Sequence, residues 1–130
     1  MEHFPNQPSG WLRKGLEDLH AGERLLQPPA LPMAACFHAQ QAAEKSLKGV
    51  LSFLGLARIP RTHSPLELAD LVAAQGVSPP LSDEQWALFA PYAVQVRYDE
   101  LPGPSAEAAL HALTLARDVY QWAERLINQK

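Results

Sequence analysis

Apolar positions recur along the chain at intervals of three and four residues, the period of amphipathic helices, and no segment alternates over strand length with β-branched enrichment. From Trp11 to Leu26, helical spacing places Trp11, Leu12, Gly15, Leu16, Leu19, Gly22, Leu25 and Leu26 together, with Arg13, Lys14, Glu17, Asp18 and Glu23 elsewhere on the wheel. Pro28, Pro29 and Pro32 end this helix, since proline supplies no helical N–H and biases the residue before it toward extended geometry. A second helix, about Met33 to Leu54, turns Met33, Phe37, Leu47, Leu51 and Leu54 toward a core, with Ala and Gly beside them for close helix approach and Gly55 as its stop. Ser64, Pro65 and Glu67 read as an N-cap opening a short helix to Ala74. Ser82 and Gln85 form a capping box for a fourth helix running to roughly Arg97, with a bend at Pro91.

The strongest pattern is the last, from Ser105 to Lys130. Ala109, Leu113, Ala116, Tyr120, Ala123 and Ile127 make one apolar stripe, and Ala108, Ala112, Leu115, Val119, Trp122 and Leu126 the next, while Thr114, Arg117, Asp118, Gln121, Glu124, Arg125 and Asn128 lie opposite. The expected fold is all-α: an up-and-down bundle of four to five helices with a long C-terminal helix. At 130 residues the chain has the size of one domain, with the ordered bundle over about residues 11–128 and an N-terminal extension over 1–10. Its 12 prolines fall in clusters that punctuate the chain.

Charge narrows the function classes. Lys and Arg total 11 against 14 Asp and Glu, for a net charge of −3, which excludes a nonspecific nucleic-acid coat and leaves only a local patch for such contact. The single Cys36 excludes an intramolecular disulfide and a cysteine-rich zinc centre, and its Cys-x-His pairing with His38 has no second pair, so neither metal nor cofactor is expected. With no export-like N-terminus and no run of about 18 apolar residues, the expected location is cytoplasmic and away from membranes. Gly-rich phosphate loops, paired zinc histidines and a Ser nucleophile elbow are absent.

Three places can carry chemistry. His38, Gln41, Lys45 and Lys48, at offsets 0, 3, 7 and 10, share a face of the second helix; the alternative is a solvated flank with a Glu44–Lys48 pair. Arg58, Arg61 and His63 follow in a loop, and with Lys45 and Lys48 they gather four of the 11 strong cations within 17 residues beside one acid, Glu44. Such an excess can bind phosphate, whose oxygens accept forked bonds from guanidinium. Arg58 and His63 also have Arg-x4-His spacing, with Pro60 between them working against a shared helix face. Arg97 and Tyr98 can read a phosphate and a base by charge and stacking, or simply cap a helix C-terminus and pack on the bundle. His111 borders the apolar face of the last helix, where a partly buried structural histidine is expected.

The string Phe37-His38-Ala39-Gln40-Gln41-Ala42-Ala43-Glu44-Lys45-Ser46-Leu47-Lys48 closely resembles the signature of the HEPN family, the higher eukaryote and prokaryote nucleotide-binding domain. Thr62-His63-Ser64-Pro65-Leu66 with Leu68 and Leu71 resembles that family's Thr-His and leucine-bearing short helix, and Arg97-Tyr98 its Arg-Tyr step. The resemblance spans about residues 11–128. It implies a helical bundle, usually homodimeric, often encoded beside a minimal nucleotidyltransferase and acting with it as a toxin and antitoxin pair. Many members are metal-independent ribonucleases using an Arg-x4-6-His motif in the second half of the chain. Here Arg97 is followed by Tyr98 through Pro104 with no histidine until His111, a departure that removes the usual pair.

By resemblance, His38, Gln41, Lys45, Lys48, His63, Arg97 and Tyr98 become candidates for a nucleotide or RNA groove, and the loop cations Arg58 and Arg61 join them on the charge argument. The expected function is nucleotide or RNA binding with a nucleotidyltransferase partner and without strong nuclease activity. Two alternatives stand beside it. One is a ribonuclease using Arg97 with His111 or His63 across a dimer, and the other a structural module that binds protein through its last helix.

Overall fold

Five α-helices follow one another, α1 (Pro8–Leu25), α2 (Pro32–Phe53), α3 (Pro65–Ala74), α4 (Asp83–Ala87) and α5 (Ala106–Ile127), with one 3-10 turn at Ala90–Tyr92, in a computed structural model that describes residues 7–92 and 103–128. Proline opens α1, α2 and α3, where its missing N–H costs no helical bond. Serine hydroxyls accept from the exposed first-turn amides elsewhere: Ser64 from Glu67 N at 3.2 Å, Ser82 from Gln85 N at 3.2 Å and Ser105 from Ala108 N at 3.0 Å. The chain leaves α2 and α3 through Gly55 and Gly76 at φ +90° and +89°, the left-handed conformation that glycine adopts without strain.

Small residues set the packing. Gly15 faces Ala42 and Ser46, Gly22 faces Ala35, and Gly49 faces Pro8 and Trp11, so α1 and α2 run antiparallel at close approach. Gly22 also meets Leu113 and Gly49 meets Ile127, which aligns α5 with α2 in direction. Helix α1 is therefore antiparallel to both α2 and α5. Helix α2 is central, packing on α1, α5 and α3. Ala35, Ala39, Ala42, Ala43, Leu47, Val50 and Leu51 of α2 are fully enclosed, with Leu19, Leu68, Val72, Phe89 and Val119 around them.

Expectations are corrected at α4, Phe37 and Ala108. Helix α4 stops at Ala87 and does not run on as a regular helix toward Arg97: Pro91 cannot bond the Ala87 carbonyl four residues back, and the chain tightens into the 3-10 turn. Phe37 is 40% exposed and does not enter the core, because the alanine stripe and Cys36 occupy the inward positions of that turn. Trp86 is buried, whereas Trp11 and Trp122 are only partly covered. The apolar stripes of α5 meet the bundle as expected except for Ala108, which is exposed in the first turn. Among the described residues no helix is long and apolar enough to cross a membrane.

Candidate functional site

The polar residues of α2 divide between two neighbours. His38 and Lys45, seven residues apart, both reach Asp18 on α1: His38 Nδ1 donates to Oδ1 at 2.7 Å and Lys45 Nζ to Oδ2 at 2.6 Å. Asp18 is itself buried, so its carboxylate is held by two donors inside the α1–α2 seam. The Phe37 ring meets the His38 ring edge-on at 5.6 Å, and with Asp18 fixes its orientation.

A second network faces α3 and the loop before it. Lys48 Nζ donates to Glu44 Oε2 at 2.8 Å, and both side chains are nearly enclosed, at 7% and 5% exposure. Gln40 Nε2 donates to Glu44 Oε1 at 3.2 Å and to the His63 carbonyl at 2.6 Å, while Gln40 Oε1 accepts from Gln41 Nε2 at 2.8 Å. The His63 ring, 61% exposed, sets Nδ1 at 3.2 Å from Glu44 Oε1. Every polar atom of the buried Gln40 amide and Glu44 carboxylate therefore has a partner, the condition under which such a network rigidifies a core. The Thr-His-Ser-Pro stretch supplies its loop side. Thr62 Oγ1 donates to Glu67 at 2.7 Å and accepts from Ser64 N at 3.1 Å, fixing the start of α3 around His63.

Beyond Lys48 opens a cleft of about 800 Å³ between Trp11 and Lys48 on the helices and Ala57, Arg58, Ile59, Pro60 and Arg61 on the loop. The Lys48 ammonium lies 5.6 Å from the centre of the Trp11 ring, a cation–π contact. The Trp11 Nε1–H is shielded from solvent and has no hydrogen-bond partner among the described residues. Arg58 and Arg61 are exposed and, among the described residues, form neither ion pair nor hydrogen bond.

The candidate residues are thus sorted. His38, Gln41, Lys45 and Lys48 do not line one open groove: His38 and Lys45 are bound to Asp18, and Gln41 and Lys48 to the Gln40–Glu44 network. Arg58 and Arg61 border the cleft, and His63 stands at the end of their loop. His111 is exposed on α5 and not partly buried as expected, because the α5 stripe that meets the bundle passes through Ala109, Ala112 and Leu113. Arg97 and Tyr98 lie outside the described residues. No group of three His, Cys, Asp or Glu side chains among the described residues is placed to hold a metal ion. Four members of the constellation, Trp11, Asp18, Gln40 and Glu44, are not among the sequence candidates. The signal for Asp18 is its place three residues after Gly15 and four before Gly22, on the face turned to α2.

The HEPN domain family model matches residues 9–126. Among solved structures, the chain is similar to ST0689, described as an archaeal HEPN homologue, at 20% identity and TM-score 0.67, covering 94% of this chain and 98% of that one. It is also similar to TT1696 from Thermus thermophilus, at 28% identity and TM-score 0.71, covering 92% and 98%. No curated protein matches the sequence.

Proposed function

The chain belongs to the HEPN domain family, and on that premise we propose that it binds a nucleotide or RNA and works with a minimal nucleotidyltransferase in a toxin–antitoxin or stress-response module. In this reading it is a cytoplasmic homodimer without strong nuclease activity. The observation that carries the reading is the cleft, where Arg58 and Arg61 have no acidic partner among the described residues, in a chain of net charge −3. Unpaired guanidinium groups at a concave surface favour phosphate oxygens. Lys45 and Lys48, neutralised by Asp18 and Glu44, support the site from within, and Arg97 and Tyr98 join the proposed set through the family resemblance alone.

Titration of the purified protein with ATP, other nucleotides and a short RNA at low and moderate salt tests this. Salt-sensitive binding supports it, since released counterions couple affinity to ionic strength. Absence of binding to all of them contradicts it and moves function to the protein partner. One observation favours a second reading: the exposed His63 ring has its Nδ1 held by Glu44, an arrangement that leaves Nε2 free for proton transfer. Cleavage of labelled RNA in EDTA that disappears in His63→Ala selects the metal-independent ribonuclease. Cleavage lost in His111→Ala instead assigns that role to α5.

A further inference from the structure

We propose that Arg58 and Arg61 form a phosphoryl-anion subsite against Trp11, and that Gln40 and Glu44 are positioning residues that hold its loop on α2. The inference rests on the reading above that the ligand carries phosphate, and adds where that phosphate sits and what builds the place for it. Two arginines three residues apart border one cleft, and Pro60 between them restricts the backbone that spaces them. Each guanidinium offers a planar fork of N–H donors, so the pair brings about two positive charges and several directed bonds to one group. That matches a multiply charged phosphoryl group better than a single carboxylate. The rest of the lining is Ala57, Ile59, Pro60, the Trp11 ring and Lys48, so apolar surface flanks the two guanidinium groups and a third cation faces the same cleft. Trp11 further holds one N–H with no partner among the described residues.

The buried network explains how an exposed loop keeps this shape. Gln40 donates to the His63 carbonyl at 2.6 Å and Glu44 holds the His63 ring, so the C-terminal end of the cationic loop is fastened to the central helix. Glu44 also fixes Lys48, whose ammonium is spread over the Trp11 face at the opposite side of the cleft. One carboxylate therefore ties both walls. The signature side chains act through the loop and leave contact with the anion to the arginines.

Sodium tripolyphosphate is the probe, titrated into the full chain by calorimetry and by tryptophan fluorescence at about 50 and about 200 mM salt. The expected result is binding that weakens with salt and falls at least about tenfold in the Arg58→Ala/Arg61→Ala double variant, but not in Arg125→Ala on α5. Equal affinity in the wild type and the double variant overturns the subsite. Gln40→Leu removes the bond to the His63 carbonyl, one of the two loop fastenings. It is expected to weaken binding and to speed amide exchange over residues 57–63 while exchange in α2 and α5 holds. Unchanged affinity or unchanged loop exchange overturns the positioning role.

Competition identifies the source of the phosphoryl group: displacement by ATP assigns a free nucleotide, and displacement only by single-stranded RNA assigns a backbone phosphate. If ATP or RNA binds the double arginine variant as tightly as the wild type, this subsite falls while the broader function stands. If none of the three ligands binds the wild type, both fall.

Discussion

Lys48 places its ammonium 2.8 Å from the carboxylate of Glu44, one helical turn earlier, and the two side chains share an almost closed environment at 7% and 5% exposure. Removing one member of such a pair leaves an uncompensated charge in the interior, a far larger penalty than the loss of a surface ion pair. Lys48→Ala is expected to cost about 3–5 kcal/mol in urea unfolding followed by helical circular dichroism. Combining Glu44→Gln with Lys48→Met removes both charges and is expected to recover much of that loss. A double variant less stable than Lys48→Ala contradicts the arrangement.

The Asp18–Lys45 bond makes a quantitative contrast with a surface pair formed by the same α1 helix. Asp18 and Lys45 meet at 2.6 Å with side chains 11% and 24% exposed, whereas Glu23 and Arg117 pair at 43% and 40% exposure. A double-mutant cycle is expected to give a coupling of about 1–3 kcal/mol for Asp18/Lys45. The same cycle on Glu23/Arg117 is expected to stay under about 1 kcal/mol. Equal couplings would show that the seam around Asp18 is no better shielded than the surface.

Close helix contact at Gly22 predicts a steric threshold. A Cβ there meets Leu113 Cδ2 at 2.5 Å and the Ala35 carbonyl at 3.4 Å, while a Cβ on Gly10 meets nothing within 4 Å. Gly22→Val must displace the Leu113 side chain from its packed position and is expected to destabilise by about 1–3 kcal/mol. Gly10→Ala adds only helix propensity and is expected to stabilise by about 0.5–1 kcal/mol. Thermal unfolding of the two variants beside the wild type checks both signs.

These sites show why the sequence was readable to different depths. The helices followed from periodicity and from local punctuation at Pro32, Ser64 and Ser82, all of which act within a few residues of themselves. The α4 boundary was less legible because the apolar pattern continues past Ala87 while Pro91 withdraws the bond that would extend the helix. In the site, the offsets of His38, Gln41, Lys45 and Lys48 placed them together on a wheel but gave no information on what each would meet. Their partners, Asp18 and the His63 loop, are 20 and 19 residues away from His38 and Glu44 respectively, and only the bundle brings them into reach. The local cation excess at Arg58 and Arg61 needed no tertiary contact to be seen, and these two border the cleft without an ion pair among the described residues.

Alkaline pH provides a local probe of α5. The Tyr120 phenol is raised above its usual 10.0, first by burial and second by the charge of Glu124. The folded state holds this proton more tightly than the unfolded chain does, so the associated stability is intact below 10.0 and declines as pH climbs through the raised value. Between about pH 9 and about pH 11 the melting temperature of the wild type is expected to fall more than that of Tyr120→Phe, which has no proton to lose. Parallel curves for the two proteins would remove the assigned cause.

The most direct test of the account is an amide and indole proton–nitrogen NMR spectrum recorded during titration with ATP. The prediction is that shifts concentrate on residues 57–63 and on the Trp11 indole N–H, with smaller changes at His38 and Lys45, whose side chains are already bound to Asp18. Shifts centred on His38 and Lys45, or on the exposed face of α5 around His111, would contradict it.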